Sequence, residues 1–250
     1  MKKLLEVKSL VKKYREGTRE SRVVNNIDLE VEEGEFVIIM GASGSGKTSL
    51  LHLIAGIDAP DEGTIQYGRT ADFGCMSESA KTIFRRKNIG IVFQQQCLIP
   101  DLTVYENMIL PIMLNKKDAG KNKDVILALC NQFGLKEHIK KYPSQLSGGQ
   151  QQRAAILRAV INRPSLLLCD EPTGSLNSAQ SKIVMALLTK LNQMGQTIVL
   201  VTHDMKVAVR GGRVVYIADG RVTGELTFGK DVQRKSREVE LMRFLQQRGW

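Results

Sequence analysis

Long apolar runs are missing from this sequence. A spanning helix needs about 20 consecutive apolar residues, whereas the most apolar stretches, Phe36–Met40 and Thr197–Val201, are only strand-length. The chain is therefore not expected to cross a membrane alone. Residues 1–6 start basic, but Glu6 and Lys8 interrupt any apolar segment of a secretory leader, so a cytoplasmic location is expected. Cysteine is sparse and unpatterned: Cys75, Cys97, Cys130 and Cys169 form no CxxC pair and have no histidine at ligand spacing, which excludes a signalled zinc or redox site. Aromatic residues make up only 5% of the chain, too few to furnish a stacking groove for nucleic acid. Repeats and low-complexity linkers are absent as well.

The sequence does offer a 42% hydrophobic chain of 250 residues, long enough for a sizeable core. Its net charge is +10. That charge favours anionic partners, either nucleotide, nucleic acid or the acidic inner face of a membrane. Because the surplus is scattered over small clusters at 81–87, 116–123 and 136–141, it reads as solvated helix faces and argues against a nucleic-acid partner.

Short apolar runs at 4–10, 27–31, 36–40 and 89–93 predict strands, and a helical pattern comes after the third of them over 47–55. The periodicity is helical at 104–114, 123–133 and 149–161. Strand signals return at 166–169, 197–201 and 213–218, with a helix at 179–194 between the first two. Alternating strands and helices predict an α/β chain with a mainly parallel core sheet and an inserted helical subdomain over residues 95–164. The division expected is 1–94, 95–164, 165–226 and a tail, 227–250. Asp219-Gly220 predicts a tight hairpin. Within the tail, Val239, Met242, Phe244 and Leu245 predict one apolar helical face that docks on something.

Gly41-Ala42-Ser43-Gly44-Ser45-Gly46-Lys47-Thr48 fits GxxxxGK[ST] between an apolar strand and a helix, the context that a phosphate-binding loop requires. Its glycines let the backbone wrap a phosphate, and its amides and the helix start present positive dipole ends. Lys47 supplies a full charge to the β- and γ-phosphates, and the Thr48 hydroxyl is a ligand for Mg²⁺. Downstream, Leu166-Leu167-Leu168-Cys169 ends in Asp170-Glu171, two acids at the carboxyl end of a strand, where parallel sheets place ligand-facing groups. Asp170 is expected to hold the cation and Glu171 to orient the attacking water or act as general base. Leu146-Ser147-Gly148-Gly149-Gln150 opens another helix, with Ser147 as its natural cap.

Taken in this order, the phosphate loop, the LSGGQ stretch and the acid pair resemble the ATP-binding cassette (ABC) ATPase family over nearly the whole chain, residues 14–222. The resemblance implies a P-loop NTPase core with an N-terminal antiparallel β subdomain and ATP with Mg²⁺ as cofactors. It implies that Tyr14 stacks on adenine and that Ser49 joins the phosphate loop. Gln94 is similar to the glutamine that touches the metal. Gln95 and Gln96 leave that register open, although Phe93-Gln94 is the family-like pair. His203 resembles the switch histidine that contacts the γ-phosphate. Ser147, Gly148, Gly149 and Gln150 would act in trans, on the nucleotide of a second copy of the chain. One departure is Asn177, where the family usually carries Asp; losing that charge implies weaker communication between the two ATP sites and slower turnover.

Residues 56–63, 101–107 and 110–112 look like the MacB/LolD/FtsE group, and the tail is similar to that of bacitracin-export-type ATPases. The implied partner is a separate MacB/FtsX-like membrane permease that holds the chain on the inner membrane face. The implied work is export or mechanical handling of an amphiphilic substrate such as an antimicrobial peptide, lipid or lipoprotein. The alternative is a non-transport ABC ATPase acting on nucleic acid or the ribosome. Such proteins usually carry two cassettes or a long coiled-coil insertion, and this sequence has neither.

Overall fold

A hairpin of two 14-residue strands opens the fold, Lys3–Glu16 (β1) paired antiparallel with Arg19–Glu32 (β2). The computed structural model describes residues 2–17, 19–68, 72–115, 123–229 and 232–250. Both strands outrun the apolar stretches that mark them in the sequence, and the reason is a change of phase. Ser9 and Asn26 sit at φ +47° and +56° where the pairing register slips, so the buried residues of β1 run Leu5, Val7 and then Leu10. Such bulges break the period-2 signal without ending the strand.

Next come Phe36–Met40 (β3), Lys47–Ala55 (α1) and Glu62–Tyr67 (β4). β4 is an addition to the strands predicted from sequence, with Ile65 and Tyr67 buried on its inner face; it pairs with β1 to complete a three-stranded sheet in the order β2-β1-β4. Glu78–Asn88 (α2) is a second addition, hidden in the sequence by its charge. Ser77 caps it, and the basic cluster at 81–87 is distributed around it, with Arg86 and Lys87 exposed but Lys81 buried and paired with Glu78 at 3.0 Å. Of the cluster at 116–123, residues 116–122 lie outside the described residues.

The chain continues through Ile89–Val92 (β5), the helices Val104–Leu114 (α3), Lys123–Gln132 (α4) and Gly148–Val160 (α5), and then Leu166–Asp170 (β6). Ser178–Gln193 (α6), Thr197–Val201 (β7), Met205–Ala208 (α7), Arg213–Ala218 (β8), Arg221–Thr227 (β9) and Arg234–Gln246 (α8) complete it. The second sheet has the order β5-β6-β7-β3-β8-β9. All of its pairs are parallel except β8 with β9, joined by the expected Asp219-Gly220 turn with both residues at positive φ.

Burial on both faces explains why β3, β6 and β7 read as unbroken apolar runs. Ile38, Leu167 and Leu200 enter one core with the helices α3 to α6 and α8; Ile39, Leu168 and Val199 enter the other with α1 and the three-stranded sheet. Each such buried side chain contributes roughly 1.5–3 kcal/mol relative to exposure. The four cysteines are free, and burial pushes the Cys130 thiol up to about 11.

The tail corrects one expectation. α8 docks on the chain itself through Leu241, Phe244 and Leu245, while Val239 and Met242 are each 52% exposed. Positions 241, 244 and 245 share a stripe at helical spacing, and 239 and 242 fall away from it. Arg237 anchors the helix by donating to the Gly211 and Gly229 carbonyls, both at 3.1 Å.

Candidate nucleotide-binding site

Four neighbouring parallel strands, β5, β6, β7 and β3, all end on the same edge of the large sheet. The segments that leave their carboxyl ends are therefore brought together. Gln94 comes after β5, Glu171 after β6, His203 after β7 and the loop Gly41–Gly46 after β3. This edge is where open α/β sheets bind ligands.

The loop after β3 is shaped by close backbone approach. Gly46 lies at φ +97°, and a Cβ there would strike the Val23 carbonyl; one at Gly41 would strike the Ile217 carbonyl. Gly46 also stands at the N-cap position of α1 with no side-chain cap, so the first-turn amides of the helix are not taken by a capping side chain. Ala42, Ser43 and Gly44 are exposed along the loop, Ser45 is buried, and Ser49 is half-buried in the first turn.

Lys47 is 6% exposed, yet among the described residues it has no ion-pair partner; its Nζ donates to the Ala42 carbonyl at 2.6 Å. Burial lowers its pKa, against the opposing charges of Glu171 and Asp170. A buried cation without a matched anion is a site prepared for one. Thr48 Oγ1 donates to Asp170 Oδ1 at 3.1 Å, which joins the glycine loop to the end of β6. Burial raises the Asp170 pKa, and the hydrogen bond from Thr48 and the charges of His52 and Lys47 only partly offset it.

Glu171 adopts φ +42°, a left-handed conformation that costs a non-glycine residue about 1–2 kcal/mol. The turn is held by its amide donating to Val201 O and by Gly174 N donating to its carbonyl, both at 3.0 Å. Glu171 Oε1 lies 2.8 Å from His203 Nδ1. Gln94 reaches the same point from β5: a Cβ on Gly174 would lie 3.0 Å from Gln94 Nε2 and 3.2 Å from Glu171 Oε2. The structure thus gathers Gln94, Asp170, Glu171, His203, Lys47 and Thr48.

Tyr14, from β1, stands nearby with 42% of its surface exposed and its hydroxyl donating to Asp58 Oδ2 at 2.8 Å. The LSGGQ residues stand apart. Ser147 Oγ accepts from Gln150 N, Gln150 Oε1 accepts from Ser147 N at 2.8 Å, and Gln150 Nε2 meets His138 Nε2 at 2.9 Å. None of the described hydrogen bonds of Ser147 or Gln150 reaches the glycine loop. Gly149 packs on α6, where a Cβ would lie 2.9 Å from Gln180 Cγ, and Ser147 and Gly148 are exposed. Asn177 caps α6, its Oδ1 accepting from Gln180 N at 2.9 Å.

Sequence reasoning missed several supporting residues. Lys12 and Asp58 hold Tyr14, His52 contributes charge at Asp170, and Arg158 donates to the Cys97 carbonyl at 2.8 Å, bracing the segment after Gln94. Lys12 and His52 lie close in sequence to Tyr14 and the glycine loop, but the braced partners of Asp58 and Arg158 lie 44 and 61 positions away, and those two residues carry no local signal.

A glycine loop holding a buried lysine, a hydroxyl bonded to an aspartate and a glutamate–histidine pair together define a P-loop nucleoside triphosphatase. Comparison with known proteins narrows the class. Residues 24–174 match the ABC transporter family model. The chain is 39% identical over 222 residues to the lipoprotein-releasing system ATP-binding protein LolD of Syntrophotalea carbinolica, covering 88% of this chain and 97% of that protein. It is 39% identical over 225 residues to the macrolide export ATP-binding/permease protein MacB of Escherichia coli, covering 90% of this chain and 35% of that longer one. Its fold is similar to the dimeric post-hydrolysis state of the ATP-binding cassette MJ0796 bound to ADP and phosphate: TM-score 0.83 at 40% identity, over 90% of this chain and 98% of that one. The chain belongs to the ABC transporter family as an ATP-binding, ATP-hydrolysing cassette. Among the described residues, no helix is long and apolar enough to cross a membrane.

Proposed function

We propose that this chain is the motor of a permease-coupled export system: two copies sandwich two ATP molecules, and hydrolysis drives a separate MacB/FtsX-like permease that moves an amphiphilic substrate. The observation that carries the reading is the junction of Thr48 with Asp170 beside the buried Lys47, which has no ion-pair partner among the described residues. Lys47 and the loop amides neutralise the phosphates. The glutamate of the Glu171–His203 pair orients the attacking water, and the imidazole turns from Glu171 to the γ-phosphate once nucleotide is bound.

Magnesium fits the donors present. Mg²⁺ takes hard oxygen ligands and is commonly held by one or two carboxylates together with substrate phosphates. Thr48 Oγ1 and Asp170 supply such oxygens, Gln94 brings its side-chain amide to the neighbouring Gly174–Glu171 turn, and among the described residues no cluster of His, Cys, Asp and Glu competes as a self-sufficient metal site. Bound there, the ion would neutralise charge on the β- and γ-phosphates.

The trans role of Ser147–Gln150 is supported by the exposure of Ser147 and Gly148 and by the separation of the stretch's hydrogen bonds from this chain's own glycine loop. Export is supported by the names of LolD and MacB, and a permease partner by the fusion of cassette and permease that MacB's name records. Attachment to the inner membrane face would come from that partner.

The test is ATPase activity of the purified chain with and without the permease, reconstituted together in vesicles. Stimulation by the permease and loss of activity in Glu171→Gln are expected. Activity indifferent to every permease, together with binding to RNA or DNA at physiological salt, would favour the non-transport reading.

A further inference from the structure

We propose that Asp58 and Lys12 form a bracket that fixes the Tyr14 ring and thereby sets the chain's affinity for the base of its nucleotide. The proposal rests on the reading of Tyr14 as the base platform and adds the residues that position it. Lys12 and Tyr14, two positions apart on β1, share one face of the strand. Asp58 comes from the turn beyond α1, folded back so that its amide meets the His52 carbonyl at 3.4 Å.

The carboxylate of Asp58 then serves both neighbours. Tyr14 Oη donates to Oδ2 at 2.8 Å, and Lys12 Nζ donates to Oδ1 at 2.8 Å and to the Ala59 carbonyl at 2.7 Å. The same ammonium sits 5.3 Å from the Tyr14 ring centroid, within cation–π range. One face of a partly exposed ring is thus occupied and the ring is pinned at its far end, which leaves the other face for a purine. Burial opposes ionisation of Asp58, but the hydrogen bonds from Lys12, Tyr14 and the Ala59 amide outweigh it and hold the carboxyl below its ordinary range. Burial and the bond to Asp58 keep the Tyr14 hydroxyl a protonated donor.

A purely architectural role for Asp58 is already filled by its neighbours. Asp61 N donates to Val11 O at 2.9 Å, and Asp61 Oδ2 accepts from Lys13 N at 2.6 Å, so the turn is fastened to β1 without Asp58. Asp58 adds control of the ring. An aromatic side chain pre-ordered in its bound rotamer does not lose that freedom on binding, and the gain appears as affinity.

The experiment titrates the full chain with Mg·ATP and, separately, with Mg and inorganic triphosphate, which has no base. The variants are Asp58→Asn, Tyr14→Phe, Tyr14→Ala and the double variant Tyr14→Ala with Asp58→Asn. Asp58→Asn and Tyr14→Phe should each weaken ATP about tenfold, or ~1.4 kcal/mol, and leave triphosphate binding at its original affinity. Asp58→Asn should add nothing once Tyr14 is alanine. Unchanged ATP affinity in Tyr14→Ala would remove the platform reading and the bracket with it. Weakened ATP binding in Tyr14→Ala but not in Asp58→Asn would leave the platform standing and overturn the bracket. Equal losses for ATP and triphosphate in Asp58→Asn would also overturn it, by showing that Asp58 acts on the fold.

Discussion

Two helices of this chain begin in glycine-containing turns, and they finish their backbone amides in opposite ways. α1 starts at Gly46 with no capping side chain, next to a buried lysine that forms no ion pair among the described residues. α5 starts at Ser147 with a full capping box, serine and Gln150 each satisfying the other's backbone. The first start leaves donors and positive charge unspent, which is the condition for holding an anion within one chain. The second has met its own needs and presents a rigid patch, Ser147 and Gly148, to whatever approaches. An unfinished site and a finished surface are complementary requirements for a chain that works as half of a sandwich.

Substitutions should separate the two starts, the largest effect falling on the first. Gly46→Ala pushes a Cβ into the Val23 carbonyl at a left-handed φ, and should destabilise the chain by ~3–5 kcal/mol in chemical denaturation. Lys47→Ala should fold, because removing a buried unpaired cation relieves desolvation, yet lose ATP binding in equilibrium titration; retained affinity would mean that α1 is not the phosphate site. Ser147→Ala should lower stability by ~1 kcal/mol and prevent nucleotide-dependent pairing of two chains, while the isolated chain still binds ATP. Asp170→Asn reports on the unfinished site through pH. Burial raises the Asp170 carboxyl above its ordinary range, so the ligand-free fold favours the protonated form. That stabilisation is full below the ordinary value and is lost as pH rises through the raised one. The asparagine variant should therefore show a flatter Tm against pH and a higher Tm near neutrality, with hydrolysis abolished. Asn177→Asp should change stability by only a few tenths of a kcal/mol, since both residues cap helices equally well; any larger effect should appear in ATPase cooperativity.

Much of the candidate site can be read from the chain because its parts sit at strand ends. The buried runs of β3, β6 and β7 carry their own signal, and a parallel sheet then brings together the segments at their carboxyl ends, here the glycine loop, Glu171 and His203. Ser147 is legible as a cap for the same local reason. Features that depend on distant partners are not. Nothing near Asp58 announces Tyr14, 44 positions earlier, because only the fold brings β1 beside the turn after α1. The full length of β1 and β2 is masked by the phase slips at Ser9 and Asn26, and α2 by a charged composition so poor in apolar residues that the segment reads as a polar connection. In α8 the buried stripe passes through Leu241, and the apolar residues alone do not tell which of two neighbouring faces the body of the protein takes.

The most direct measurement mixes two inactive chains. Lys47→Ala lacks a working phosphate loop, and Ser147→Arg carries a blocked LSGGQ patch, so neither should hydrolyse ATP alone. A mixed pair contains one intact loop facing one intact patch, and equimolar mixing should restore a substantial fraction of wild-type ATPase activity. A mixture as inactive as its components, or full activity in Ser147→Arg by itself, would contradict a site completed by a second copy.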